Sequence, residues 1–268
     1  YGDHRDLHLS IRRQRQMCIR DRLDWIIANS KNQIFFYDSA QSVKPSDINS
    51  DRFDSLLNDI DTLKLELTSQ MRVKGVNNYI NFVDELLNIK RKEKSTYNSE
   101  QYELFVFDSL KDLYSELTKR EKLNGLCRLI AGYSWPWLSK ENKTAIDIEI
   151  EDLKFQWNQT DKDWINTENA KKLKEIGCIH TTQGYDLNYT GIIFGNEISY
   201  DKLKNEIIIQ KDNYHDKTGK NSISDPNELK TFIVNIYKTM MLRGIKGTYI
   251  YACNKDLQDY FKSFIKIA

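Results

Sequence analysis

Apolar and polar positions along this chain fall into short runs of two periods, and the runs predict alternating strands and helices. Between residues 176 and 195 two apolar runs, 176–179 and 190–194, read as short buried strands. The polar loop between them holds Thr181, Thr182, Gln183, Gly184 and Asp186, and Gly184 allows a turn that a side chain would hinder. Hydroxyls, an amide and a carboxylate are thereby gathered at the carboxyl end of one strand, the edge where open α/β sheets bind ligands. An ordinary strand-to-strand loop capped by Thr and Asp side chains is the alternative.

The same patterns run through the rest of the chain. The aromatic run Ile34, Phe35, Phe36, Tyr37 predicts a strand ending at Asp38, and the alternation Leu63, Leu65, Leu67 predicts another with one buried face. Helices are predicted over residues 51–60, capped by Ser50, and over 76–92, with Tyr79, Ile80, Val83, Leu86 and Leu87 on its apolar side. A strand over 102–107, a helix over 109–122 capped by Asp108 or Ser109, and a strand over 125–132 form a β-α-β unit, hence a parallel sheet with a right-handed crossover. Residues 133–175 read as an irregular insertion around Trp135-Pro136-Trp137, closed by a helix that Thr167 caps. Extended pieces over 195–210 and a polar loop over 212–225 follow. Asp225 and Pro226 open a long helix reaching about Leu242. Gly244 and Gly247 end that helix before a strand over 248–253, and residues 255–267 form a closing amphipathic helix. The fold class is α/β.

Composition narrows the partners. A net charge of +1 gives no global basic field, so any nucleic-acid site must be local. Cys18, Cys127, Cys178 and Cys253 form no Cys-x-x-Cys pair, which argues for a reducing, cytoplasmic setting without disulfides or zinc. No apolar run approaches the roughly 18 residues of a membrane span, and no signal-peptide core is present. Residues 1–22 are polar and arginine-rich; Met17 to Arg22 resembles translated sequencing-adapter sequence, the other reading being a basic arm that binds phosphate.

Several side chains have chemistry to offer. Gln41, in the turn before Pro45, can both donate and accept hydrogen bonds. Arg72 and Arg243 carry permanent charge on a fork that fits phosphate oxygens, although an interdomain salt bridge would also suit Arg72. Arg243 follows the long helix and is expected to project at the domain edge. Trp135 and Trp137 either stack on bases or anchor a loop to the core. Two decoys are set aside. Phe82-Val83-Asp84-Glu85 imitates a magnesium-binding strand end but carries a helical period. Gly219-Lys220 fails the phosphate-loop pattern, which needs glycine at Tyr214 and Ser or Thr at Asn221.

Taken in order, these residues resemble the motifs of superfamily 1 helicases. Thr181 to Asp186 before an apolar strand resembles motif V, Asp38 with Gln41 resembles motif III, Gln70-Met71-Arg72 resembles the entry to the second RecA-like domain, and the stretch around Arg243-Gly244 resembles motif VI. The fuller string from Ile179 to Gly195 is similar to a bacterial branch, the Schlafen group 3-like DNA/RNA helicase domain family. Relatives commonly carry Thr where this chain has Leu242, which alters a hydroxyl contact and not the charge.

The resemblance implies a RecA-like, P-loop NTPase-type fold with a mainly parallel sheet and helices on both faces. Its implied divisions are residues 1–22 as extraneous, 23–68 as the remnant of a first RecA-like domain, and 69–268 as the second, with the insertion at about 133–175. It implies ATP and magnesium as cofactors of the full-length protein. Gln41, Arg72 and Arg243 would be catalytic, and Asp38, Gln183, Gly184 and Asp186 would join them around the nucleotide. His180, Thr181, Thr182, Trp135 and Trp137 would meet single-stranded DNA or RNA. No Gly-rich Lys-Ser/Thr loop and no convincing strand-borne Asp-Glu pair accompany these motifs. The expectation is therefore the C-terminal part of a larger ATPase, inactive alone and binding no nucleotide tightly, with a missing N-terminal half as partner. A non-enzymatic nucleic-acid-binding or adaptor domain is the alternative.

Overall fold

A hydrophobic strand needs a neighbour before it becomes part of a sheet, and the two halves of this chain differ in whether one is supplied. The computed structural model describes residues 19–38, 50–66, 73–74, 76–92, 95–160 and 163–268. Gln41, Arg72 and most of residues 1–22 lie outside them. The chain divides into two compact units, Tyr1–Glu66 and Leu67–Ala268.

The first unit contains helices α1 (Ile19–Asn29) and α2 (Ser50–Leu57). Arg52 on α2 pairs with Asp24 on α1, and Tyr37 stacks on Phe53 with ring centroids 3.9 Å apart. Residues 33–38 and 62–66 are not strands, contrary to the expectation from their alternation. Ile34, Phe36, Leu63 and Leu65 are exposed. A period of two specifies a pleat and not the strand that must pair with it, and neither segment forms a ladder among the described residues.

The second unit begins with α3 (Val76–Leu87), which fixes the Asp84-Glu85 decoy on a helix. Then follow β1 (Glu103–Val106), α4 (Leu110–Asn124) and β2 (Cys127–Ala131). Ser109 caps α4 by accepting the Asp112 N–H, and Gly125 ends it at φ 65°. The insertion is more regular than its sequence suggests. It forms β3 (Ile148–Ile150) and β4 (Leu153–Trp157) as an antiparallel hairpin, then α5 (Glu168–Lys171) and β5 (Glu175–Ile176), which runs parallel to β4. Gly177 bridges Ile130, so this small sheet runs on from β2.

The expected strand over 176–179 stops at Ile176, and Ile179–Thr182 is a one-turn helix, α6. Thr181 Oγ accepts the Cys178 N–H, and Thr182 Oγ donates to the Cys178 carbonyl. Such local bonds offer the backbone an alternative to a ladder.

Beyond α6 come β6 (Leu187–Phe194), the antiparallel hairpin of β7 (Ile198–Asp201) and β8 (Glu206–Ile209), and α7 (Lys217–Ser222) inside the expected polar loop. Helix α8 (Pro226–Met241) has Asp225 as its cap and Pro226 in its first turn. The chain closes with β9 (Gly244–Ala252), α9 (Lys255–Lys262) and β10 (Lys266–Ile267). Gly244 and Gly247 therefore lie within β9, and do not precede it as the sequence suggested.

The central sheet has the order β10-β1-β9-β6-β2 with every pair parallel, and helices cover both faces, a RecA-like arrangement. Alternation along β6 assigns the faces. A Cβ at Gly191 would meet Leu113 and Leu117 of α4, whereas Phe194 stacks on Tyr237 of α8 at 4.2 Å.

Candidate functional site

Two neighbouring parallel strands bring together whatever precedes them, and β6 and β9 are such neighbours, with Leu187 opposite Gly244. The loop of residues 183–186 leads into β6, and Arg243 leads into β9. The Leu187 N–H donates to the Arg243 carbonyl at 3.0 Å. The stretch follows β5 by way of α6, and its exposed part, residues 183–186, sits at the amino end of β6. Gln183, Gly184 and Asp186 are exposed, and Gly184 has φ 95°, a left-handed backbone suited to glycine.

Arg243 does not project from the domain edge. Its side chain is only 2% exposed, and its Nε donates to the Thr239 carbonyl at 3.3 Å. The physical reason lies in the helix end. The last four carbonyls of a helix lack internal partners, and a cation there is favoured by the helix dipole. Arg243 folds back to serve one of them.

Hydroxyls serve another. The Met241 carbonyl accepts from Tyr79 at 2.9 Å and from Thr248 at 3.1 Å. Thr248 in turn bonds Tyr102 at 2.8 Å and Thr190 at 2.9 Å. Burial pushes the Tyr79 and Tyr102 phenols above their ordinary range, so both stay neutral donors. A side chain at Gly244 would collide with the Gly247 carbonyl, so the turn requires glycine. Val73 and Lys74, the described residues after Arg72, lie at this same edge: the Lys74 N–H donates to the Ile245 carbonyl at 3.0 Å. Lys246 Nζ reaches Asn124 Oδ1 at 2.9 Å. Sequence reasoning missed these groups. It placed Tyr79 on an apolar face, where its ring does lie, and had no signal for a hydroxyl partner 162 residues away.

The other half of the motif-bearing stretch lies at the opposite end of the sheet. Cys178 follows the bridge to β2, and its Sγ is 3.6 Å from the Tyr133 hydroxyl. The His180 ring centroid is 5.8 Å from that of Tyr133. Thr181 and Thr182 are buried, with their hydroxyls bonded to the backbone of their own turn. Trp135 and Trp137 are half-buried against the core, Trp137 meeting Trp157 edge-on at 5.7 Å with Lys140 Nζ 5.2 Å from its ring. Asp147 fastens this loop by accepting the N–H groups of Ser139 and Trp157, both at 2.8 Å. Residues 178–186 therefore link an aromatic cluster at the carboxyl end of β2 to the exposed loop at the amino end of β6.

Asp38 is exposed in the first unit. Among the described residues no group of three His, Cys, Asp or Glu is placed to hold a metal, no disulfide forms, and no helix is long and apolar enough to cross a membrane. An arginine fork and an amide are residue types suited to phosphate oxygens, and rings beside a lysine are suited to bases.

A family model described as Schlafen group 3, DNA/RNA helicase domain matches residues 5–254, beginning inside the segment that composition set apart. An uncharacterized protein of Saccharomyces cerevisiae, YPL245W, is 23% identical over 211 residues, which are 72% of this chain and 46% of the yeast protein. The chain thus spans about half the length of this curated relative. No solved structure matches.

Proposed function

The chain belongs to the Schlafen group 3 DNA/RNA helicase domain family, and we propose that it supplies one wall of the nucleotide cleft of an ATP-dependent DNA or RNA helicase or translocase. The observation that carries this reading is the meeting of the 183–186 loop with Arg243 at the entry of adjacent strands, through the 3.0 Å bond from Leu187 to the Arg243 carbonyl. Arg243 stabilises charge that develops during phosphoryl transfer, a role worth ~10³-fold or more in rate. Gln183 and Asp186 lie on the loop that senses the nucleotide. Arg72 contributes a second cation, on the strength of its motif resemblance. Gln41 and Asp38 read the terminal phosphate, on the strength of their motif resemblance.

The residues fit a phosphate chain, but the sequence holds no phosphate-binding loop and the described residues hold no cluster placed for magnesium. No Gly-x4-Gly-Lys-Ser/Thr pattern occurs in these 268 residues. Those parts come from polypeptide outside this sequence. Magnesium, when bound, neutralises phosphate charge; this chain's share is the guanidinium and the loop amide.

Nucleic acid lies against His180, Trp135, Trp137 and Lys140 as a single strand, with bases on the rings. The buried hydroxyls of Thr181 and Thr182 shape the turn that joins this surface to the nucleotide loop. The 268-residue chain alone is expected to hydrolyse no ATP, and its genomic frame upstream is expected to encode a Gly-rich Lys-Thr loop. Robust magnesium-dependent hydrolysis by the isolated chain, lost on Arg243→Ala, would refute the proposal that the site is shared.

The half-buried Trp137 with Lys140 also favours a second reading, a nucleic-acid adaptor without nucleotide. Single-strand binding that weakens with salt but ignores ATP in the upstream-extended protein would select it.

A further inference from the structure

Each of the last four carbonyls of α8 has a partner. Lys238 O accepts from the Leu242 N–H at 3.2 Å and Met240 O from the Arg243 N–H at 3.1 Å. Thr239 O accepts from Arg243 Nε. Met241 O, the last, accepts from Tyr79 and Thr248. Each hydroxyl has one proton to give. Thr248 gives its proton to Met241, leaving its lone pairs for Tyr102 and Thr190. All four of these hydroxyl residues are buried. Helix α3, β6 and β9 each contribute one of them and Tyr102 immediately precedes β1, so residues from four parts of the chain converge on a single turn.

We infer that Tyr79, Tyr102 and Thr248 are positioning residues for Arg243: their hydroxyl network holds the turn 241–244 in the conformation that sets both the guanidinium and the adjoining 183–186 loop. The inference rests on the proposed phosphate role of Arg243 and adds the device that aims it. The link to the loop is direct. The carbonyl of Arg243 is the acceptor for Leu187, the first residue after the loop, so a shift of the turn moves the loop's anchor. Tyr79 extends the device to the segment after Arg72, since it lies in the first turn of α3. Buried, fully satisfied hydroxyl networks rigidify their surroundings and specify one arrangement.

Two measurements separate the network from the function it serves. In the isolated chain, Tyr79→Phe and Thr248→Val are compared with wild type by residue-resolved amide exchange. The Leu187 amide is expected to exchange about tenfold faster while Gly191 and Ile192, deeper in β6, stay within about twofold. Thr248→Ser, which keeps the hydroxyl, is expected to restore wild-type exchange. Unchanged exchange at Leu187, or a uniform rise along β6, overturns the inference.

In the upstream-extended protein, Tyr79→Phe is expected to lower kcat for ATP about tenfold with KM nearly constant, and to add nothing in an Arg243→Ala background. Multiplicative losses in the double variant overturn the positioning role. If Arg243→Ala alone leaves turnover intact, the proposed function fails, and the exchange data alone judge the network.

Discussion

At the amino ends of β6 and β9 the backbone of a buried arginine anchors an exposed polar loop, whereas at the carboxyl ends of β2 and β6 a buried carboxyl group is closed in. Glu197 has no exposure, and its Oε1 accepts the Tyr237 hydroxyl at 2.5 Å. Side chains at Gly132 or Gly195 would collide with it. Ser134 Oγ accepts the Asn196 and Glu197 N–H groups at 2.7 and 3.3 Å, and Gln258 accepts the Ala252 N–H at 2.9 Å while donating to the Phe107 carbonyl. Side chains of the protein itself thus occupy the backbone groups at which open α/β sheets usually meet ligands. The comparison teaches that strand direction alone does not locate a site. The exposed polar loop of residues 183–186 here lies at the amino end of β6.

The largest test of the sealed end is Gly195→Ala. Its Cβ would overlap Ser134 and lie 2.5 Å from Glu197 Oε2, and overpacking of this kind costs about 3 kcal/mol. Denaturant unfolding measures it; a loss below about 1 kcal/mol would mean that the seal yields easily.

Next is Thr248→Val at the amino end. It strips the shared hydroxyl from Met241, Tyr102 and Thr190 in a buried site and is expected to cost about 2 kcal/mol. A neutral outcome would make the network dispensable.

Glu197→Gln sharpens the contrast through pH. Burial raises the Glu197 carboxyl above its ordinary 4.5, partly offset by the Tyr237 hydrogen bond. The folded state therefore holds a proton that the unfolded state releases, and this contribution to stability is full below pH 4.5 and is lost as pH rises through the raised folded value. Melting temperatures of wild type should fall across that window relative to Glu197→Gln, which lacks the titration. Parallel curves would refute a raised carboxyl.

The smallest effect belongs to the exposed loop. Gln183→Ala should change stability by less than about 0.5 kcal/mol, because the residue is exposed. A loss several times larger would turn the loop into a structural element.

Local rules were legible in the sequence where they suffice. The Ser109 cap, the β-α-β unit, and the start of α8 at Asp225-Pro226 each depend on a few neighbouring residues, and each stands where the sequence places it. Strand pairing was not legible for residues 33–38 or 62–66, because alternation carries no information about a partner. The insertion's small sheet escaped notice because β5 is two residues long and takes its register from β4. Within the candidate site, the motif order located the 183–186 loop and Arg243. Their contact depends on β6 lying beside β9, a fact of topology. Arg243 turns its Nε back to a carbonyl of its own helix, at Thr239, and a helix-end position does not specify that orientation.

The most direct test of the account is ATP turnover by the upstream-extended protein with and without Arg243→Ala, at saturating magnesium and nucleic acid. A fall in kcat of ~10³-fold with nucleotide affinity within about threefold is the predicted result. Turnover equal to wild type would contradict the assignment of this strand edge as the wall that faces the phosphates.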